Sequence, residues 1–249
     1  MKKTIFTIVI FSFVIASAQK KIKFGVKAGA TISSLSYNHP ISNNPDSKLG
    51  FLMGILTESK LTEKIAIQPE LFFSKEGGKF NSSYNSNDSH FEIKQNIEIL
   101  KISFPIMAKY YFIPNLAIEF GPELNYLVSA TSSNELKVNS PTQNFIVNSE
   151  TNMNENFSTY TNSEGGVKVY QDYGLEKINF ALNFGASYDL KKGLFFNARY
   201  NLGLTTFAKN ANGLAIKDPT DNLNYYADPS LEGAKLKVSN FQFGFGYKF

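Results

Sequence analysis

NFQFGFGYKF, residues 240–249, sets Phe241, Phe243, Phe245, Tyr247 and Phe249 at every second position, with Asn240, Gln242, Gly244, Gly246 and Lys248 between them. Successive side chains of a strand point to opposite faces, so an extended chain here has one aromatic face and one small or polar face. Five rings on one side need an apolar partner, which is either a protein core or the hydrocarbon of a bilayer.

Seven further segments carry the same period of two. IKFGVKAGATI (22–32) alternates Ile22, Phe24, Val26, Ala28, Ala30 and Ile32 with Lys23, Gly25, Lys27, Gly29 and Thr31. Segments 48–58, 64–74, 92–112, 115–128, 177–190 and 194–205 do likewise, the fourth most regularly in its second half, where Leu100, Ile102, Phe104, Ile106, Ala108 and Tyr110 oppose Lys101, Ser103 and Lys109. Connectors also alternate: 59–63, 113–114 and 191–193 are short, while 33–47, 75–91, 129–176 and 206–236 are long. Short and long connectors at opposite ends predict an up-and-down antiparallel meander of eight strands.

Size decides which face is buried. Each strand offers five or six apolar positions, so eight strands present roughly 40 bulky side chains on one face, more than an eight-stranded lumen can hold. The polar face carries Gly25, Gly29, Gly50, Gly54, Gly121, Gly185, Gly203, Gly244 and Gly246, which suit a crowded concave interior. A soluble barrel with its rings inside would be overpacked. An all-β, eight-stranded transmembrane β-barrel with its rings in lipid satisfies both faces, and closure leaves no backbone group unpaired in hydrocarbon.

The N-terminal stretch MKKTIFTIVIFSFVIASAQ has two lysines, an apolar run from Ile5 to Ile15 and Ala16-Ser17-Ala18 in the small-x-small pattern of a cleaved export signal. A membrane-spanning helix needs about 20 apolar residues and this run is about half that. The expected domains are a signal peptide over 1–18 and a barrel over 19–249. Losing Lys2 and Lys3 lowers the net charge from +4 to +2, which leaves no nucleic-acid footprint. Absence of cysteine excludes disulfides, thiolate metal sites and cysteine nucleophiles.

The FGVKAGATIS opening strand, the LTEKIAIQPEL hairpin and the closing FQFGFGYKF resemble the Bacteroidetes outer-membrane β-barrel family known as porin-like or PorT-like. The resemblance covers the mature chain and implies a Gram-negative outer membrane, short turns and both termini in the periplasm, four extracellular loops, and no catalytic residues. Phe243, Phe245, Tyr247 and Phe249 resemble the C-terminal signal that engages the barrel assembly machinery, which makes that machinery and outer-membrane lipid the expected partners. The PorT likeness implies a role as an accessory of protein secretion, and the porin-like name implies a small-solute pore.

Strand alternation sends Lys23, Lys27, Gln68, Glu70, Lys101, Lys109, Glu119, Glu123, Asn125, Asn179, Asn183, Asn197, Arg199, Asn201, Gln242 and Lys248 into the lumen. Isolated charges are very unfavourable there, so Arg199, Glu119, Glu123, Glu70, Lys101, Lys109 and Lys27 are expected to pair, with Arg199 meeting Glu119 or Glu123. A plug of ion pairs is the expectation for so narrow a lumen; a selectivity lining is the alternative.

Catalysis has little support. His39 and His90 both sit in polar connectors, and Asp88 near His90 does not make a triad. Asp218, Asp221 and Asp228 lack calcium-loop spacing, and the EGG stretches at 76–78 and 164–166 read as turns. No cofactor or metal is expected, and the protein is expected not to be an enzyme. The long connectors mix Tyr37, Tyr84, Tyr160, Tyr225 and Tyr226 with Asn, Ser and Thr, a composition suited to recognition of a surface or secretion partner. Mass spectrometry of the protein isolated from envelopes should find Gln19 at its N-terminus; a chain that begins at Met1 would remove the export signal from this reading.

Overall fold

The structure is a computed structural model that describes residues 22–37, 45–86, 88–142, 144–154, 157–162, 165–170, 175–208 and 235–249. The expected signal peptide lies outside the described residues, as do His39, Tyr225, Tyr226 and the Asp218, Asp221 and Asp228 group.

Eleven strands are present among the described residues: β1 (Ile22–Tyr37), β2 (Asp46–Lys60), β3 (Ile65–Ser86), β4 (Ser89–Ile113), β5 (Leu116–Asn139), β6 (Asn144–Asn152), β7 (Phe157–Asn162), β8 (Gly165–Tyr170), β9 (Ile178–Asp189), β10 (Leu194–Gly203) and β11 (Leu236–Lys248). The ring runs β1-β2-β3-β4-β5-β9-β10-β11 and returns to β1, antiparallel at each step. Its closing seam pairs Ala28 with Phe245 and Ala30 with Phe243, and the Phe249 N–H donates to the Phe24 carbonyl at 2.7 Å.

The outer face is the apolar one. Phe24, Met53, Leu71, Phe104, Phe120, Phe180, Phe196 and Phe243 are exposed, while Lys27, Gln68, Lys109, Glu119, Arg199 and Gln242 are buried on the other face. On β4 the outward row from Ile102 to Phe112 is unbroken, and at the usual strand rise and tilt it spans about 25 Å, the height of a bilayer's hydrocarbon band. Phe196 with Phe245, and Tyr200 with both Phe184 and Phe241, form ring contacts across strands at 4.8–5.3 Å. The aromatic run at the chain end is thus one wall of a continuous band.

One rim stands higher than the other sectors. The β3–β4 hairpin pairs up to Ser86 with Ser89, turning at Asp88 (φ 57°), and β5 continues to Asn139 with β6 beside it. By contrast β9 begins at Ile178 and β10 ends at Gly203. Much of what the sequence reading assigned to long loops over 75–91 and 129–176 is therefore strand. Tyr37, Tyr84, Tyr160 and His90 fall on strands rather than in loops. The Glu76-Gly77-Gly78 stretch is likewise within β3, not a turn. Its polar composition hid a ribbon that needs no alternating apolar face, because water contacts it beyond the bilayer.

Gly77 has φ 154°, and an added Cβ would land on the carbonyl oxygen of Ile97. Its N–H donates to Ser33 Oγ at 2.9 Å. Gly77→Ala should therefore destabilise the barrel by about 1–3 kcal/mol. Urea unfolding from lipid vesicles measures this, and an unchanged midpoint would show that the position tolerates a side chain.

Candidate functional site

The lumen collects charge from every strand of the ring: Lys27 on β1, Glu58 on β2, Glu70 and Glu76 on β3, Lys101 and Lys109 on β4, Glu119 and Glu123 on β5, Asp189 on β9, Arg199 on β10 and Lys248 on β11. These groups stack in three tiers. Nearest the short turns, Lys248 Nζ lies 2.9 Å from Glu58 and 2.6 Å from Asp189. The Tyr111 hydroxyl is 3.1 Å from both carboxylates and can donate to either, and Lys109 Nζ is 3.2 Å from Glu58.

The middle tier centres on Arg199. Its Nη1 and Nη2 donate to the two oxygens of Glu70 at 2.9 and 2.6 Å, a planar fork on a carboxylate, while Nε donates to Glu119. Lys27 Nζ donates to Glu70 at 2.6 Å and lies 4.6 Å from the centre of the Phe72 ring. Gln68 donates to Glu70 at 2.6 Å and accepts from Lys109 at 3.2 Å, while Lys109 also lies 3.2 Å from Glu119. Glu70 thus accepts hydrogen bonds from three side chains.

In the upper tier Lys101 Nζ stands 3.0 Å from Glu76 and 3.6 Å from Glu123. Asn183 donates to Glu123 at 2.8 Å, Ser74 to Glu76 at 3.1 Å, and Asn201 to Asn183 at 2.9 Å. Above this tier the lumen changes character. Leu35, Ile97, Ile99, Leu127, Ala130, Met153, Phe207, Ala208 and Leu236 form a buried apolar cluster across it.

The residues singled out in the sequence are placed as follows. Arg199, Glu70, Glu119, Lys27 and Lys109 converge in one network; Lys101 and Glu123 form the next, and Arg199 meets Glu119 and Glu70, not Glu123. Lys23 keeps the inward parity, opposite Glu58, but lies exposed at the strand's end and is not among the buried charges. Phe243, Phe245, Tyr247 and Phe249 are exposed on the outer face of the closing strand and its end. Glu58 and Glu76 were missed. Glu58 shares its inward face with Leu52 and Leu56, where apolar residues on both faces mask the alternation, whereas Glu76 lies beyond the expected end of its strand.

Beyond the apolar band, Lys48 Nζ donates to Asn96 at 2.6 Å and to Glu98 at 2.7 Å, and Lys75 lies 2.7 Å from the other Glu98 oxygen. The hydrogen bonds from Lys48 and Lys75 hold the Glu98 carboxyl below its ordinary range. His90 is hydrogen-bonded to Asn85 at 2.7 Å and sits 3.5 Å from Glu92. Among the described residues no group of three or more His, Asp or Glu is arranged to hold a metal ion.

A closed ring with an outward apolar band and an inward charged lining defines an integral β-barrel of a Gram-negative outer membrane. The chain belongs to the outer membrane protein beta-barrel domain family, whose sequence model matches residues 17–209. No curated protein matches it. In fold it is similar to the neisserial surface protein A NspA (13% identity, 92% of this chain and 100% of that one, TM-score 0.38). It is also similar to OprG of Pseudomonas aeruginosa (13%, 92% and 97%, TM-score 0.37) and to Ail, the attachment invasion locus protein of Yersinia pestis (10%, 91% and 98%, TM-score 0.36).

Arg199→Met removes the cation shared by Glu70 and Glu119 and should cost about 3–5 kcal/mol of stability. Adding Glu119→Gln to that variant should recover part of the loss, because Lys27 still holds Glu70 and Glu58 still holds Lys109 once both partners of that pair are gone. Equal and additive losses in vesicle unfolding would show that the tier is not coupled.

Proposed function

We propose that the protein is a non-enzymatic, non-conducting outer-membrane barrel that contributes to envelope structure and presents its tall β3–β6 ribbon as a surface for binding. The observation that carries this reading is the filled lumen. Three tiers of paired charge and an apolar layer succeed one another along the axis, and the buried side chains of Arg199, Glu70, Glu119 and Lys109 occupy its centre. An eight-stranded ring has room for little beyond its own side chains. Opening a path would separate these ion pairs in a low-dielectric interior, which is strongly unfavourable.

The long-connector end is read as extracellular and the short turns as periplasmic, in keeping with the likeness to Bacteroidetes porin-like and PorT-like barrels. The same likeness supports an accessory role in secretion as the way the ribbon would be used. The alternating Phe243, Phe245, Tyr247 and Phe249 serve, in this reading, as the element engaged by the barrel assembly machinery. Planar-bilayer recording of the purified protein should show no stable conductance, and regular stepwise currents would replace the plug with a pore.

A further inference from the structure

The ribbon has two faces that strand parity traces directly from the barrel. On β3, Lys75, Lys79 and Asn81 continue the outward row of Leu71 and Phe73; on β4, Asn96 and Lys94 continue that of Phe104 and Ile102. The outward face above the apolar band is concave. It holds a groove of about 820 Å³ lined by Lys79, Asn81, Lys94, Asn96, Glu135 and Asn148 among others.

We infer that this groove binds the saccharide headgroup of an outer-leaflet glycolipid of the lipopolysaccharide type, with the headgroup's phosphate at the Lys48–Glu98–Lys75 cluster below it. This rests on the reading of the ribbon as the extracellular binding surface. Three observations select that occupant. The first is position: the groove opens sideways, on the face that lower down touches acyl chains, so the nearest ligand is the headgroup of a lipid already against the band.

The second is charge. Two ammonium groups share the single carboxylate of Glu98 at 2.7 Å each, so the cluster at the foot of the groove carries one positive charge, whereas the lining above it sets three carboxylates against two ammonium groups. Asn96 belongs to both features, accepting from Lys48 and lining the groove. The third is lining chemistry. All twelve lining residues are polar, five of them Asn or Gln, and none is aromatic. Amide groups donate and accept side by side, as sugar hydroxyls do. A protein partner would instead call for an aromatic or aliphatic anchor pocket. Within the groove Asp46, Glu135 and Glu150 face Lys79 and Lys94, so the upper part suits hydroxyl-rich sugar and leaves the phosphate to the cluster below.

The test is native mass spectrometry of the full chain from nanodiscs that contain lipopolysaccharide, phosphatidylglycerol and phosphatidylethanolamine, with lipid-free core oligosaccharide as a separate arm. Lipopolysaccharide should be retained at least about tenfold more tightly than phosphatidylglycerol. Asn81→Ala/Asn148→Ala should reduce that retention about tenfold and leave phosphatidylglycerol unchanged. Asn148→Trp, on β6 outside the ring, should fill the groove with the same result. Heat-modifiable gel migration establishes that each variant is a folded barrel. Equal retention of lipopolysaccharide by the wild type and by either folded variant would overturn the proposal. So would binding of free oligosaccharide as tight as that of the intact lipid, since the occupant would then be a soluble glycan. Neither result bears on conductance, so the groove can fail while the plugged barrel stands.

Discussion

Hydrocarbon offers a peptide group no hydrogen-bond partner, and the structure follows from that constraint. An open sheet would leave two edges unpaired, so β1 must find β11, and the 2.7 Å bond from Phe249 to Phe24 completes the seam. Closing a ring of eight strands fixes a narrow lumen. Bulky residues are thereby forced outward and glycine inward: a Cβ on Gly54 would collide with Phe72, and one on Gly246 with the Phe195 ring. A narrow interior in turn obliges each buried charge to find a partner across the axis. That requirement also specifies register. A slip of two residues keeps a strand's faces but carries its charge about 7 Å along the strand, beyond ion-pair distance. With one or two charges on each of the eight strands, the network favours one alignment.

The interior is inverted at the height where the environment changes. Within the band the molecule is inside-out, with rings outward and Arg199, Glu70 and Lys109 inward. Above Lys101 it becomes an ordinary water-facing protein, with Leu35, Ile97, Ile99 and Leu236 gathered inside. The switch coincides with an irregularity in pairing: Leu100 faces Ser129 but Lys101 faces Leu127, so an extra residue on β5 moves its inward set from Leu127 to Ala130 and Ser132. A bulge re-aims a strand without breaking it. Here it lets β5 pair with β9 below and with β6 above.

Legibility in the sequence tracked the strength of the period. Within the band, where one face meets lipid and the other meets charge, alternation read correctly for Phe24, Phe104, Phe120 and Phe243 and for the luminal Lys27, Glu70, Glu119 and Arg199. Glu58 escaped because Leu52 and Leu56 share its inward face and blur the alternation in FLMGILTE. The tall ribbon escaped for a different reason. Both of its faces include polar residues, so 75–91 and 131–152 resemble loop, and only cross-strand hydrogen bonding identifies them as sheet. Pairing partners were legible only in part: Glu119 is one of the two partners expected for Arg199, whereas Arg199 and Glu70 are 129 positions apart, and their meeting depends on stagger around the ring rather than on local pattern.

The ribbon's outward face owes its chemistry to the same continuity. A strand that passes from acyl chains into headgroups keeps its parity, so the row that begins with Leu71 and Phe73 must change composition at Lys75 and continue as Lys79 and Asn81. Those side chains are held on paired strands whose lower halves are locked by the charge tiers. Sites on rigid elements lose less entropy on binding than sites on loops. The lumen and the groove are therefore two ends of one mechanical unit: the ion pairs that close the barrel also fix the spacing of the amides above it.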